Sequence, residues 1–268
     1  MQCATDIRQT YKFYIHMFNN CTLIKKITGL FLLLILSLFS VMVSASVTMI
    51  GNRIIYPSDN ASVNVEFRNK DIIPYAVQTW LDDGDTESTP ATGKAPFIAS
   101  PPLFRIAANG GQVLRIAFNG SRNLPQDRES VFYFNFLQIP PVNAGEAGAQ
   151  QKNKMLIMLK NRVKVFYRPV AIASESKTFF DKINVTSQSK NGGAVINIEN
   201  NSPFYASVTD VRVKHGKQVY KQKAQMIAPF SKDSVLFKKI QDIKGATVIV
   251  DYLNDQGARM SHEYEISH

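Results

Sequence analysis

The chain has 268 residues, 45% of them apolar, and 31 lysines and arginines against 21 acids, for a formal net charge of +10. This apolar content excludes a disordered polar chain. The charge lacks the basic cluster with interleaved aromatics that stacks bases, so no nucleic-acid partner is expected.

The chain opens on a leader. Lys25 and Lys26 precede the apolar run "GLFLLLILSLFSVMV", which ends at Val43-Ser44-Ala45 with small residues at the cleavage positions of a Sec-type signal peptide. Residues 1–45 are therefore expected to be a signal peptide cut after Ala45, with Met1 and Met17 both open as the start. An uncleaved anchor helix is the competing reading. The run is shorter than the roughly 20 residues a span needs, so no stable membrane insertion of the mature chain is expected. The leader holds both cysteines, Cys3 and Cys21, together with four of the cations and one of the acids. The mature chain beyond Ala45 is thus expected to be exported, without a thiol and with a charge of +7. Its core must hold without disulfides, and its charge suits a carboxylate-bearing partner.

From Ser46 onward short alternating segments recur between turn residues, and no dozen residues keep a helical spacing, which is an all-β pattern. "SVTMIGNRIIYP", "SVNVEFRN", "YAVQTWLDD", "PLFRI", "GQVLRIAF", "VFYFNFLQI" and "KMLIMLKNRVKVFYRP" make seven candidate strands. They predict one immunoglobulin-like sandwich over 46–168. Trp80 reads as its core anchor. Asp82 and Asp83 open "DDGDTES", which reads as a solvated loop without the spacing of a calcium loop. Pro169 then breaks the ladder. A second series comes after it: "KINVTSQS", "AVINIEN", "FYASVTDVRV", "KQVYKQ", "SVLFKK", "ATVIVDYLN" and "ARMSHEYEI". Asn191-Gly192-Gly193 and His215-Gly216-Lys217 supply hairpin turns. The second series predicts another sandwich over 169–268. The fold class is thus all-β, with two immunoglobulin-like domains joined at an angle by a short linker and a cleft between them.

The segment "KMLIML" is apolar on both strand faces. From spacing alone it is either a buried central strand or an open edge awaiting a partner, and both readings stand. The histidines after the leader, His215, His262 and His268, have no ligand spacing, and no thiol nucleophile is present. No enzyme, catalytic residue, metal or cofactor is expected.

The phrase "LPQDRESVFYFNFLQIPP" followed by "NRVKVFYRP" resembles the signature of the periplasmic pilus chaperones of the chaperone-usher pathway. "PFIASPPLFRIAANGGQVLRI" before it, and "IENNSPFY" and "DYLNDQGAR" after it, extend the resemblance over essentially the whole mature chain. The resemblance implies a periplasmic protein that binds, folds and caps pilus subunits by lending them a strand and delivers them to an outer-membrane usher. It implies that Arg53 and Lys164 grip the subunit's C-terminal carboxylate, and that Met155, Ile157 and Leu159 are the lent side chains. It further implies that Glu129, Arg168 and Asp255 form a charge network linking the two domains. Strict alternation puts Lys164 on the opposite side from the three lent residues, a conflict that strand twist or a bulge would resolve. Residues 142–152 make a longer loop than short-loop members carry, yet the long-loop cysteine pair is missing, which places the chain nearer the short-loop group. An exported immunoglobulin-like structural subunit or adhesin is the alternative, against which stand two sandwiches that each own seven strands.

Overall fold

The computed structural model describes residues 46–141, 156–190, 193–238, 240 and 245–266. Residues 1–45, expected to be a leader, and Met155 lie outside them. The first half forms β1 (Val47–Met49), β2 (Arg53–Pro57), β3 (Val63–Asn69), β4 (Tyr75–Asp82), β5 (Phe97–Ser100), β6 (Leu103–Ile106), β7 (Gly111–Phe118), β8 (Ser130–Ile139) and β9 (Leu159–Arg168). One sheet is ordered β1-β3-β7-β5 and the other β2-β9-β8-β4-β6.

Alternation makes the core between them. In β3 Val65 and Phe67 turn inward while Glu66 and Arg68 turn out, and in β7 Leu114 and Ile116 do the same around Arg115. Their counterparts from the opposite sheet are Val77, Leu81, Phe134, Phe136 and Val165. Phe67 meets Phe136 edge to face at 5.1 Å. Burying each such side chain contributes about 1.5–3 kcal/mol, which is how a sandwich without disulfides stays folded.

Nine strands stand where seven were expected, because one expected segment changes sheets and one strand, β5, lies before the expected "PLFRI" and was not anticipated. "SVTMIGNRIIYP" is divided at Gly51, whose φ of +88° is left-handed. Its first part, β1, pairs with β3, and its second, β2, pairs with β9 in the other sheet. "FIASPPLFRI" is divided at Pro101 and Pro102, which have no N–H for a ladder. There β5 pairs with β7 and β6 with β4.

The second half forms β10 (Ile183–Lys190), β11 (Gly193–Asn200), β12 (Val208–His215), β13 (Gln218–Lys223), β14 (Ser231–Phe237), β15 (Thr247–Leu253) and β16 (Arg259–Glu265). These seven strands correspond to the seven segments expected there. They make sheets ordered β10-β11-β14 and β13-β12-β15-β16 around a core that includes Ile196, Ile198, Val211, Val213, Phe237 and Val248. His215 pairs with Gln218, so Gly216 and Lys217 are the turn, with Gly216 at φ +60°.

The connection after Pro169 is longer than the sequence suggested. Two 3₁₀ segments, Val170–Lys177 and Phe179–Lys182, separate β9 from β10. Among the described residues no helix is long and apolar enough to cross a membrane.

Candidate functional site

β9 has two halves with different surroundings. Its antiparallel register with β8 runs without a break from Gln138↔Leu159 to Ser130↔Tyr167. On the other side β2 joins it, in parallel, only from Lys164 to Arg168. Leu159, Lys160, Asn161, Arg162 and Val163 therefore have a ladder partner on one edge alone among the described residues. Among the described residues nothing pairs with the backbone N–H and C=O groups of their second edge, which suits pairing with another chain.

The two faces of this strand differ as sharply as its two edges. Val163, Val165 and Tyr167 point into the core. Lys160, Arg162, Lys164, Phe166 and Arg168 have the opposite parity and point out. Leu159 shares the inward parity but lies beyond the core and is 50% exposed, and Ile157 just before it is 63% exposed. Leu156 and Met158 are exposed as well. The register with β8 shows no bulge between Leu159 and Lys164. Regular alternation places Leu159 and Lys164 on opposite faces.

Arg53 is the first residue of β2 and the direct register partner of Lys164. The Arg53 Nη1 donates to Ser207 Oγ at 3.2 Å and to the Leu253 carbonyl at 3.3 Å, both from the second sandwich. Its guanidinium lies 5.5 Å from the Phe166 ring, and its Nε is buried without a hydrogen-bond partner. Lys164 has no hydrogen-bond or ion-pair partner among the described residues. Burial, and then the charge of Arg53, push the Lys164 pKa down. Burial also lowers that of Arg53, offset in part by Asp255 and Glu129. Two half-buried like charges side by side favour an anion between them.

A cleft of about 330 Å³ begins at Arg53 and Phe166 and continues between the sandwiches past Phe204, Tyr205, Leu253 and Asp255. Arg168 closes it. The Arg168 Nε donates to Glu129 Oε1 at 2.7 Å, and its two terminal nitrogens donate to the Asp255 carboxylate at 2.7 and 2.8 Å. Glu129 is 3% exposed and ties in the second sandwich twice: its Oε2 accepts from the Tyr205 N–H, and its own N–H donates to the Pro203 carbonyl, both at 2.9 Å. Burial raises the Glu129 pKa against the pull of Arg168. For Arg168 the hydrogen bonds and charges of Asp255 and Glu129 outweigh burial and raise it. Glu129 and Arg168 are thus a buried, multiply bonded pair, and Asp255, more exposed, completes a bidentate fork.

Sequence reasoning missed one cluster altogether. Asp82, read as solvated, is 1% exposed. It is the last residue of β4, and strand parity carries its side chain to the outer face, where the loop over residues 83–94 covers it. Its carboxylate accepts from Asn135 Nδ2 at 2.6 Å, from Ser88 Oγ at 2.9 Å and from the Gly84 N–H at 2.8 Å, and it is ion-paired with Arg162. These bonds outweigh burial and hold its pKa below the usual carboxylate value. Trp80 lies beside it rather than in the central core. Its Nε1 donates to Ser88 Oγ at 3.0 Å, and the Lys160 ammonium sits 5.2 Å from its ring. The signal available in the sequence was the shared parity of Trp80 and Asp82 in "QTWLDD".

Residues 46–173 match the model of the pili and flagellar-assembly chaperone PapD N-terminal domain, and residues 179–264 that of the pili assembly chaperone PapD C-terminal domain. The chain is 36% identical over 201 residues to the probable fimbrial chaperone YadV of Escherichia coli K12, covering 75% of this chain and 80% of that one. It is 34% identical over 220 residues to the chaperone protein HifB of Haemophilus influenzae, covering 82% and 88%. The crystal structure of the YadV chaperone superposes with a TM-score of 0.68 at 31% identity, covering 82% of this chain and 99% of that one.

Proposed function

The chain belongs to the periplasmic pilus-assembly chaperones of the chaperone-usher pathway, a non-enzymatic family, and we propose that it captures pilus subunits on the open half of β9. Strand addition to a free sheet edge is an established mode of recognition, and pilus chaperones are among its known examples.

The geometry supports an orientation for the guest. A strand added to β9 over Leu159–Val163 must end where β2 takes over that edge, beside Arg53 and Lys164. Two cations there accept a carboxylate and repel an amine, so the guest's C-terminus belongs at that end and the guest runs parallel to β9. Each charge-assisted hydrogen bond to the carboxylate contributes about 1.5–3 kcal/mol. Ile157 and Leu159, exposed in the free protein, enter the open groove of the subunit and are worth about 1.5–3 kcal/mol apiece when fully buried. Met155, outside the described residues, extends the same series. The adjacency of Arg53 and Lys164 at the end of an unpaired edge is the observation that carries this reading.

Residues 46–168 and 169–268 act as two domains whose relative placement is kept by Glu129, Arg168 and Asp255. Residues 1–45 serve as the export leader, cleaved after Ala45, and the loaded chaperone delivers its subunit to an outer-membrane usher. The family match does not favour the alternative of a structural subunit or adhesin. The test is a titration of the purified protein with two synthetic peptides of alternating apolar and polar residues, one ending in a carboxylate and one in an amide. Tighter binding of the acid by an order of magnitude or more is expected, and equal affinity excludes the carboxylate grip.

A further inference from the structure

We infer that Asp82 sets the register in which a guest strand is held, acting through Arg162; this rests on the capture reading above and deepens it. Four cations lie along the outer face of β9: Lys160, Arg162, Lys164 and Arg168. Three are engaged within the molecule. Lys160 donates to the carbonyls of Thr86 at 2.9 Å and Ser88 at 3.2 Å, Arg162 is paired with Asp82, and Arg168 is held by Glu129 and Asp255. Lys164 alone of the four has no such partner among the described residues.

A guest on a sheet edge keeps its apolar side chains on one face only if it slips by two residues at a time. Two residues of strand span roughly 6.6 Å, which is also the step from Lys164 back to Arg162. The competing register would therefore bring the guest carboxylate to Arg162. Asp82 removes that anchor. Its buried carboxylate neutralises the guanidinium, and the Tyr133 ring, 3.7 Å from the Arg162 Cζ, holds the side chain flat against the outer face. The other three donors to Asp82, from Asn135, Ser88 and Gly84, fix the carboxylate whether or not a guest is present. Lys160 offers no substitute, because its ammonium is drawn over Trp80 onto the loop carbonyls. Asp82 is a positioning residue: it touches no guest, and it leaves the Arg53–Lys164 pair as the one unneutralised anchor along the edge among the described residues.

The test reads register directly. The probe is a synthetic peptide of alternating valine and serine with a free C-terminal carboxylate and a photo-crosslinking residue at a fixed distance from it, with attachment sites located by mass spectrometry. The wild-type protein gives one set of attachment sites. Asp82→Asn gives a second set displaced two residues toward Leu159, amounting to a tenth of the product or more, and the double variant Asp82→Asn with Arg162→Gln returns to one set. A single set in Asp82→Asn, or a second set that survives Arg162→Gln, overturns the inference. Lys164→Gln tests it with Asp82 intact: crosslinking is lost rather than shifted, and a two-residue shift overturns the inference. The C-terminal amide of the same peptide separates the two levels. Equal crosslinking of acid and amide by the wild type defeats the capture reading itself, while a preference for the acid with an unmoved register in Asp82→Asn defeats only the role of Asp82.

Discussion

Arg53 faces Lys164 directly across the parallel β2–β9 pair, so the backbone holds two like charges side by side where, among the described residues, the unpaired edge of β9 ends. Burial disfavours both charges, and among the described residues Arg53 Nε and the Lys164 ammonium have no hydrogen-bond partner. Such a pair is a poor structural element and a good receptor for an anion.

Replacing Lys164 tests the receptor. Lys164→Ala should weaken binding of a peptide acid by roughly one to two orders of magnitude, the worth of one charge-assisted hydrogen bond, and Lys164→Glu should abolish it. Circular dichroism and thermal unfolding should stay close to wild type, since relieving the repulsion removes no internal bond. Titration calorimetry provides the check, and undiminished affinity in Lys164→Glu would argue against the anchor.

Ile157 tests the lent face. Because 63% of it is exposed, Ile157→Asp should leave unfolding of the free protein within about 0.5 kcal/mol while weakening capture of a subunit several-fold or more. Denaturant melts and co-purification with a co-expressed subunit are the two measurements. A collapse of the free protein's stability would mean that this side chain belongs to its own core.

The interdomain charges should be unequal in effect. Glu129→Ala strips a buried partner from buried Arg168 and leaves the Tyr205 N–H without its acceptor, so a loss of about 3–5 kcal/mol is expected. Asp255 is 39% exposed on its side chain, and Asp255→Ala should cost less. Urea unfolding of the two variants side by side decides it, and equal losses would contradict the burial argument.

Acid should unfold the protein early. Hydrogen bonds and charges hold the carboxyls of Asp82, Asp210 and Asp251 below their ordinary pKa against the opposing effect of burial. A carboxyl depressed in the folded state contributes stability above its unfolded value, about pH 3.9, and that contribution disappears as pH falls toward the folded value. Glu129, raised by burial, acts in the opposite sense, but it is one group against three. Melting temperature should therefore drop steeply below about pH 4. An unchanged melting temperature there would show the bonds to these three carboxylates to be energetically idle.

The alternation of short apolar segments was enough to read the β architecture, since period-two burial is a local property of each segment. The division of "SVTMIGNRIIYP" and "FIASPPLFRI" between sheets was not, because partner choice depends on strands dozens of residues away. Trp80 and Asp82 illustrate the same limit at the level of side chains. Their shared face was legible, but the loop that covers them, and so their burial, was a matter of tertiary packing. Likewise nothing in the spacing of Arg53 and Lys164 announces that they are neighbours. Only the resemblance singled them out, and their adjacency emerges from a parallel pairing across the whole first sandwich.

The placement of Ile157 and Leu159 on the opposite parity from Lys164 has an evolutionary corollary. If the proposed capture holds, substitutions at Ile157 or Leu159 would retune which client groove is filled without disturbing the cationic corner at Arg53 and Lys164, and that corner could in turn remain fixed while the clients diversify. A duplicated copy of this molecule would thus need few changes, all on one side of β9, to serve a different fibre.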